Sequence, residues 1–383
     1  MIYLLVFLCS LFFVSLYENN GCCFVKNKYS NVYVLIGAFI ALMAGLRFFV
    51  GADTANYVND FKTIQTLDLL TKKSFDYSRY RPGYLLLTSL CKTICDNFVL
   101  LQMCVALFSN YIILKFVWKK CNSPLLALLI YFITNYLEFN FEIMREVMAV
   151  SFSLLYFSSL EKKRFFLAFV YFILANMMHA SAIMIILFPF LFKIKFSRKL
   201  VWIVLVFSVA EISIYQIIPD ISMYADLVFG YGEYGEKYLE RVINTDYNLN
   251  YYIFHFTKFL ILPLSALWVL KDKGKYTGFV LVWVLLGLLS IFSYAFYRFT
   301  NYFSPFMWIL YSESIICICR RLKPLRFGVM ISAVIILLFF YQRGLLSMNG
   351  NNFLYERYFP YEMVGFDNNY NTNQSKYLIR RGN

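Results

Sequence analysis

The 383-residue sequence has few charged residues and lacks the short motifs of several large enzyme classes. Asp, Glu, Lys and Arg make up 15% of it, against about 25% in typical soluble domains. No G-x-x-x-x-G-K-[ST] loop is present, which argues against direct use of ATP, and no H-E-x-x-H motif indicates a zinc enzyme. No D-x-D pair indicates a metal-bound nucleotide sugar. The nine cysteines show no zinc or redox spacing and are interpreted as small buried side chains.

Hydrophobic residues are abundant instead, and they form continuous blocks. They make up 61% of the chain, and most blocks approach the roughly 20 residues that a helix needs to cross a membrane. Backbone groups cannot stay unpaired in lipid, so continuous apolar blocks predict helices. We therefore expect an all-α polytopic transmembrane bundle of about 12 spans, with interfacial helices and loops at its outer face. The expected spans are residues 1–17, 32–50, 98–118, 124–140, 146–160, 165–178, 180–192, 199–219, 251–270, 276–294, 299–319 and 326–342.

Short Lys and Arg clusters between the blocks predict the orientation, because such clusters favour the cytoplasmic side. They also account for the net charge of +14 without forming a basic domain, so nucleic acid is not an expected partner. With every cluster inside, residues 83–96 lie flat on the outer surface as an amphipathic helix. Both termini are then outside, and the first span is retained as an anchor. We expect a transmembrane domain over residues 1–342, with outer loops 51–97 and 220–250, and an extracytoplasmic tail over 343–383.

Three arginines lie near the predicted outer ends of spans, where a charge is costly unless it has a partner or a role. Arg47 either pairs with nearby Asp53 or binds an anion. Arg145 lies one helical turn after Glu142, so it either closes a local ion pair or clamps a phosphate group. Arg298 stands among aromatic residues, either as part of an interfacial belt or as a third cation.

Other polar residues suit a base and a sugar site. His179 lies between two apolar segments, where it is either structural or a general base near neutral pH. Tyrosine rings and carboxylates match the apolar faces and hydroxyls of sugars, although an ordinary interfacial loop is the alternative for residues 220–250. The candidate glycan-binding residues are Tyr57, Glu142, Tyr234, Tyr238 and Arg241.

Taken in order along the chain, several short strings resemble the EpsG family of Wzy-like polysaccharide polymerases. They are Gly45-Leu46-Arg47 with Gly51-x-Asp53 and Tyr57, Arg81-Pro82-Gly83-Tyr84, Arg145 with Ala149, His179-x-Ser181-Ala182, Arg298 with Tyr302-Phe303, and Tyr358-Phe359-Pro360-Tyr361. Glu146 departs from the pattern, since the family commonly has Gln after the arginine. That departure weakens any role for Glu146 itself.

The resemblance implies a polymerase of O-antigen, capsule or exopolysaccharide in the bacterial inner membrane, with its active face extracytoplasmic. Its substrate would be an oligosaccharide repeat unit on undecaprenyl diphosphate, and no nucleotide sugar, metal or other cofactor would be needed. Membrane lipids, a chain-length regulator and a flippase are the further partners that we expect.

In this interpretation, catalysis needs cations for the diphosphate leaving group and a base for the acceptor hydroxyl. We expect Arg47, Arg145 and Arg298 to bind the diphosphate, and either His179 or Asp53 to be the base. Two alternatives stay open. One is an O-antigen ligase or lipid-linked glycosyltransferase, which uses the same donor. The other is a non-enzymatic flippase of lipid-linked oligosaccharide, although that needs a polar path through both leaflets.

Overall fold

The computed structural model describes residues 2–18, 29–76, 78, 80–217, 249–271, 276–291, 294–346 and 357–365. This part of the chain is helical and has no β-strand, which confirms the prediction of an all-α polytopic membrane protein. The α-helices are α1 (Ile2–Tyr17), α2 (Ser30–Gly45), α3 (Thr54–Thr63), α4 (Lys72–Asp76), α5 (Pro82–Ile94), α6 (Phe98–Lys120), α7 (Pro124–Thr134), α8 (Met144–Glu161), α9 (Phe165–Met178), α10 (Phe188–Leu191), α11 (Arg198–Ile217), α12 (Leu249–Phe256), α13 (Leu262–Leu270), α14 (Thr277–Leu289), α15 (Tyr294–Thr300), α16 (Ser304–Arg321) and α17 (Arg326–Leu346).

Several expected spans are shorter or interrupted. In the segment 124–140, helix α7 ends at Thr134, and a π-helical turn follows over Glu138–Glu142. The segment 180–192 begins as a 3₁₀-helix, Ala180–Leu187, after an extended His179. The segment 299–319 begins its helix only at Ser304. Within the described residues, three helical stretches are long and apolar enough to cross a membrane: Phe98–Lys120, Asn250–Leu270 and Lys323–Gln342. The number of about 12 spans stays a prediction.

The chain divides into two compact units. The first comprises Met1–Ile185 and Met330–Asn383, and the second comprises Ile186–Val329. The described tail residues 357–365 therefore belong to the first unit, together with the described residues of 51–97.

In the first unit, α2 packs closely on α6 because two glycines face it. A Cβ atom at Gly45 would lie 2.3 Å from the sulfur of Met103, and one at Gly37 would lie 2.6 Å from Cδ1 of Leu114. Small residues let membrane helices approach closely enough for backbone contact. The side chain of Gln102 then donates to the carbonyls of Gly45 (2.7 Å) and Arg47 (2.9 Å). This packing and these bonds position the end of α2, from which the site is built.

A buried polar network positions the π-helical turn that precedes α8. Asn110 of α6 donates to Asn140 (2.6 Å), Asn140 donates to the Tyr131 hydroxyl (2.8 Å), and that hydroxyl donates to Asn110 (3.0 Å). The Tyr136 hydroxyl adds a bond to the carbonyl of Ile40 (2.7 Å). Buried polar groups need such partners, and a satisfied network holds its members in one arrangement. The turn is thereby fixed against α2, α6 and α7.

The second unit has an aromatic core. Phe279 packs at 4.2 Å between ring centroids on Phe306 and at 5.1 Å on Phe188. The indole N–H of Trp283 donates to the hydroxyl of Ser304 (3.2 Å), which joins α14 to the start of α16.

Candidate functional site

The loop that carries Arg47 pairs with the described tail segment. The amide of Phe48 donates to Glu362 (2.9 Å), the amide of Val364 donates to Leu46 (2.9 Å), and the amide of Gly51 donates to Arg357 (2.8 Å). These lengths are those of ordinary backbone hydrogen bonds. The bonds hold two segments that are far apart in the sequence in a short antiparallel contact. The tail thus forms one side of the candidate site.

Gly51 lets the same loop meet the π-helical turn. Its φ is +101°, and a Cβ atom would lie 2.3 Å from the carbonyl oxygen of Phe141, so only glycine fits without strain. Thr54 donates to the carbonyls of Val50 (2.7 Å) and Phe141 (3.4 Å). These contacts bring Asp53, the residue before α3, close enough to Glu142 for their charges to interact.

Arg47 is the most buried cation of this site, with 2% of its surface exposed. It donates from Nη1 to the carbonyl of Ala44 (2.6 Å) and from Nε to that of Val50 (3.3 Å), and its guanidinium lies 5.1 Å from the Phe141 ring centroid. Its Nη2 group is buried and has no hydrogen-bond partner among the residues that the structure describes. The guanidinium is therefore held by backbone carbonyls and retains two N–H groups for a ligand.

Tyr84 carries a second buried donor, and sequence reasoning did not assign it a role. The residue is 1% exposed, and within the described chain its hydroxyl has no hydrogen-bond partner. Its ring packs 5.3 Å from that of Tyr80, and Arg145 and Arg47 both act electrostatically on its hydroxyl. The only sequence signal was its place in the Pro82-Gly83-Tyr84 string.

Arg145 extends this cluster from the first turn of α8. Its guanidinium carbon lies 4.7 Å from the ring centroid of Tyr80 and 6.0 Å from that of Tyr57, and both rings pack near Tyr84. The hydroxyl of Tyr80 is bonded in turn to the carboxylate of Asp60. Tyr57 also interacts electrostatically with Arg47, so the structure brings the two predicted arginines around one set of tyrosines.

Glu142 contacts the tail. Its Oε1 atom accepts a bond from the Tyr358 hydroxyl (2.7 Å) and lies 3.5 Å from Nη1 of Arg357, with which it forms an ion pair. Burial raises the pKa of Glu142, and the negative charge of Asp53 adds to that effect, whereas Arg357 and Tyr358 oppose it. Burial, together with Glu142, keeps the pKa of Tyr358 well above its ordinary value, so its hydroxyl stays a donor. The expected glycan contact of Glu142 stays a prediction.

His179 follows the last residue of α9 and is 8% exposed. Its Nδ1 atom lies 2.6 Å from the hydroxyl of Ser181, the other polar residue of its motif. Met177, two residues before His179, packs against Gly83. A Cβ atom placed on Gly83 would lie 2.9 Å from the Cβ atom of Met177. Helix α5, which carries Tyr84, therefore packs next to the end of α9 that precedes His179.

Arg298 lies in the second unit, on α15. Next to it, the ring of Tyr297 lies 5.4 Å from Nζ of Lys258, a charged residue in the π-helical turn Thr257–Ile261. His255, one turn before Lys258, is 7% exposed, and its Nε2 atom has no hydrogen-bond partner within the described ranges. Sequence reasoning missed Lys258 and His255, although a lysine inside an apolar span was a visible signal.

Three predicted glycan residues fall outside the part of the chain that the structure describes: Tyr234, Tyr238 and Arg241. Within the described part, no three His, Cys, Asp or Glu side chains come together as a metal site requires.

Comparison with known proteins identifies the family. The EpsG family matches residues 30–363, which is most of the chain and includes the tail segment paired with the Arg47 loop. No curated protein and no solved structure matches the chain significantly. The chain belongs to the EpsG family, as the motifs around Arg47, Arg145 and Arg298 predicted. The family and the apolar helices indicate a membrane protein of polysaccharide biosynthesis with glycosyltransferase-like polymerase activity.

Proposed function

We propose that this EpsG family member polymerises oligosaccharide repeat units carried on undecaprenyl diphosphate. The observation that carries the proposal is the pair of buried donors, Nη2 of Arg47 and the hydroxyl of Tyr84, that have no partner among the described residues. Leaving a buried donor unpaired costs about 1–3 kcal/mol, so two in one cluster point to a ligand that accepts from both.

The electrostatics of the cluster favour an anionic ligand. Arg47 is buried without a described ion-pair partner, and Arg145 acts on the same tyrosine hydroxyl. A buried cation is costly unless an anion or hydrogen-bond acceptors compensate for lost water. A diphosphate supplies both the negative charge and the acceptor oxygens, and an arginine fork binds such oxygens in pairs.

The reaction follows from this placement. An acceptor hydroxyl oxygen of one repeat unit attacks the anomeric carbon of a second, lipid-linked glycan. The bond from that carbon to the diphosphate oxygen breaks, and undecaprenyl diphosphate leaves with the electron pair, so direct attack inverts the anomeric configuration. Arg47, Arg145 and Tyr84 stabilise the charge that develops on the leaving diphosphate, which is commonly the largest catalytic contribution.

The proton of the acceptor hydroxyl passes to a base, for which we favour Asp53 over His179. Asp53 is partly exposed and lies between the Arg47 loop and α3, so an acceptor can reach it. His179 is more buried, and one of its ring nitrogens is already bonded to Ser181. In this assignment His179 positions α5, and with it Tyr84. Asp53→Asn should then abolish the reaction, whereas His179→Gln should leave measurable activity.

The proposed location is the bacterial inner membrane, with the cluster at its outer face. The support is the positive-inside distribution of Lys and Arg. Cysteines introduced at exposed Lys72 and Lys162 test it with a membrane-impermeant reagent in intact cells. Lys72 should be labelled and Lys162 should not, and the reverse pattern would place the cluster in the cytoplasm.

The decisive experiment supplies purified protein with the diphosphate-linked repeat unit alone, in EDTA and without nucleotide. Wild-type protein should lengthen the glycan and release undecaprenyl diphosphate. Arg47→Ala should lose roughly 100-fold or more in rate, since one such donor contributes that much, and Arg47→Lys should recover little. Arg164→Ala, an exposed residue before α9, is the matched control and should behave as wild type. No elongation by the wild type would refute the proposal.

A further inference from the structure

An open cavity of about 630 Å³ lies in the first unit, between α3, α4 and the start of α5. Its size is within the range of small-ligand sites, roughly 300–1,000 Å³. Most of its lining residues have polar side chains, among them Asp60, Gln65, Thr71, Lys73 and Ser74. None of these residues was singled out from the sequence, because each alone is an ordinary residue of an exposed loop.

We propose that this cavity binds the oligosaccharide of the lipid-linked repeat unit. The proposal rests on the polymerase function above and deepens it by placing the glycan. The lining combines a carboxylate, an amide, hydroxyls and an ammonium group, which together donate to and accept from sugar hydroxyls. A polyprenyl chain has no hydroxyl or amide groups to use these donors and acceptors, so we propose the oligosaccharide and not the carrier lipid as the occupant.

The lining is held in place by its own hydrogen bonds. The Ser74 hydroxyl donates to Oε1 of Gln65 (2.9 Å), and the amide of Thr71 donates to the Ser74 oxygen (3.2 Å). The first bond uses the amide oxygen of Gln65 and leaves its amide N–H groups for a ligand. At the other end, the amide of Leu67 donates to Thr93 (2.8 Å), which ties the loop to α5.

The cavity adjoins the diphosphate cluster through α5. Tyr80 lines the cavity, and its ring lies 4.7 Å from the guanidinium carbon of Arg145 and 5.3 Å from the ring of Tyr84. Leu85, the next residue after Tyr84, also lines it. A glycan whose diphosphate is bound by Arg47 and Tyr84 can therefore pass over Tyr80 into the cavity. Tyr80 therefore lies between this cavity and the part of the cluster formed by Arg145 and Tyr84.

Two adjacent lysines provide a matched test. Lys73 lines the cavity and Lys72 does not, and both are exposed residues of α4. With purified polymerase and the lipid-linked repeat unit, Lys73→Ala should raise KM about 2- to 12-fold, the range for one lost hydrogen bond, with kcat nearly unchanged. Lys72→Ala should leave both constants as in wild type. Equal KM values for the two variants would overturn the glycan site.

A cavity-filling variant and a direct binding measurement make the test independent of catalysis. Thr63 lines the cavity and Thr66 does not, so Thr63→Trp should block it while Thr66→Trp should not. The probe is the host's own repeat oligosaccharide, released from its carrier by mild acid and observed by saturation-transfer NMR. We expect transfer with wild type and Thr66→Trp, and its loss with Thr63→Trp. Transfer that survives in Thr63→Trp, or none with wild type, refutes the glycan site. Failure of elongation together with normal transfer refutes the polymerase and leaves the glycan site standing.

Discussion

Removing the Tyr84 hydroxyl should stabilise the protein while disabling it. Tyr84→Phe deletes one oxygen and keeps the ring that packs against Tyr80 and Tyr57. In the unliganded protein that oxygen is buried and has no partner within the described residues, so the folded state gains nothing from it. In our proposal the same hydroxyl donates to the leaving diphosphate, so it matters only when substrate is bound.

The expected changes in stability and in catalytic rate have opposite signs. A buried unsatisfied hydroxyl costs about 1–3 kcal/mol, which Tyr84→Phe should recover as free energy of unfolding. For a protein of this size that corresponds to an apparent Tm roughly 1–4 °C higher. Loss of a donor to the transition state should lower kcat roughly 100-fold. Few substitutions outside a functional site raise stability and abolish activity together.

The assay compares Tyr84→Phe with Tyr33→Phe, the same chemical change elsewhere in the first unit. The Tyr33 hydroxyl is bonded to the carbonyl of Leu114 (2.9 Å), so its loss should lower the apparent Tm and leave elongation unchanged. Thermal unfolding in detergent and elongation of the lipid-linked repeat unit are measured on both variants. A Tyr84→Phe protein that is less stable than wild type, or as active, would refute the reasoning.

Three further predictions concern the tail and the loop. Tyr358→Phe removes the hydrogen bond to Glu142, so the amide of Gly51, which is bonded to the tail, should exchange hydrogen about 2- to 12-fold faster by mass spectrometry. Gly51→Ala should lower the apparent Tm by several degrees more than Gly365→Ala, because both have positive φ but only the first meets the Phe141 carbonyl. The pKa of the Glu142 carboxyl is raised in the folded protein above its ordinary value of 4.5. As pH rises above 4.5, this carboxyl therefore loses its proton in the unfolded chain before it does so in the folded protein. The stability of wild type relative to Glu142→Gln should therefore fall as pH rises from 4.5 through the raised pKa, and a flat difference in Tm would contradict it.

The sequence by itself determined the class of protein and the residues to examine. Continuous apolar blocks require helices in lipid whatever their neighbours are, so the all-α membrane fold was readable locally. A charge near the end of an apolar block is costly, which singled out Arg47 and Arg145 without any structure. The order of the motifs around them identified the family.

Only the tertiary structure decided which groups face each other and which donors stay unpaired. The bonds from Phe48 to Glu362 and from Gly51 to Arg357 are made by backbone amides, which have no side-chain signature in a sequence. Glu142 lies within reach of Arg145 along the chain, yet the partner that the fold brings to it is Arg357. The role of Tyr84 depends on its burial and on the absence of a described partner for its hydroxyl. Both are decided by residues that lie far from Tyr84 in the sequence. Hydrogen-bond satisfaction is a three-dimensional balance, so a pattern of residue types cannot reveal it.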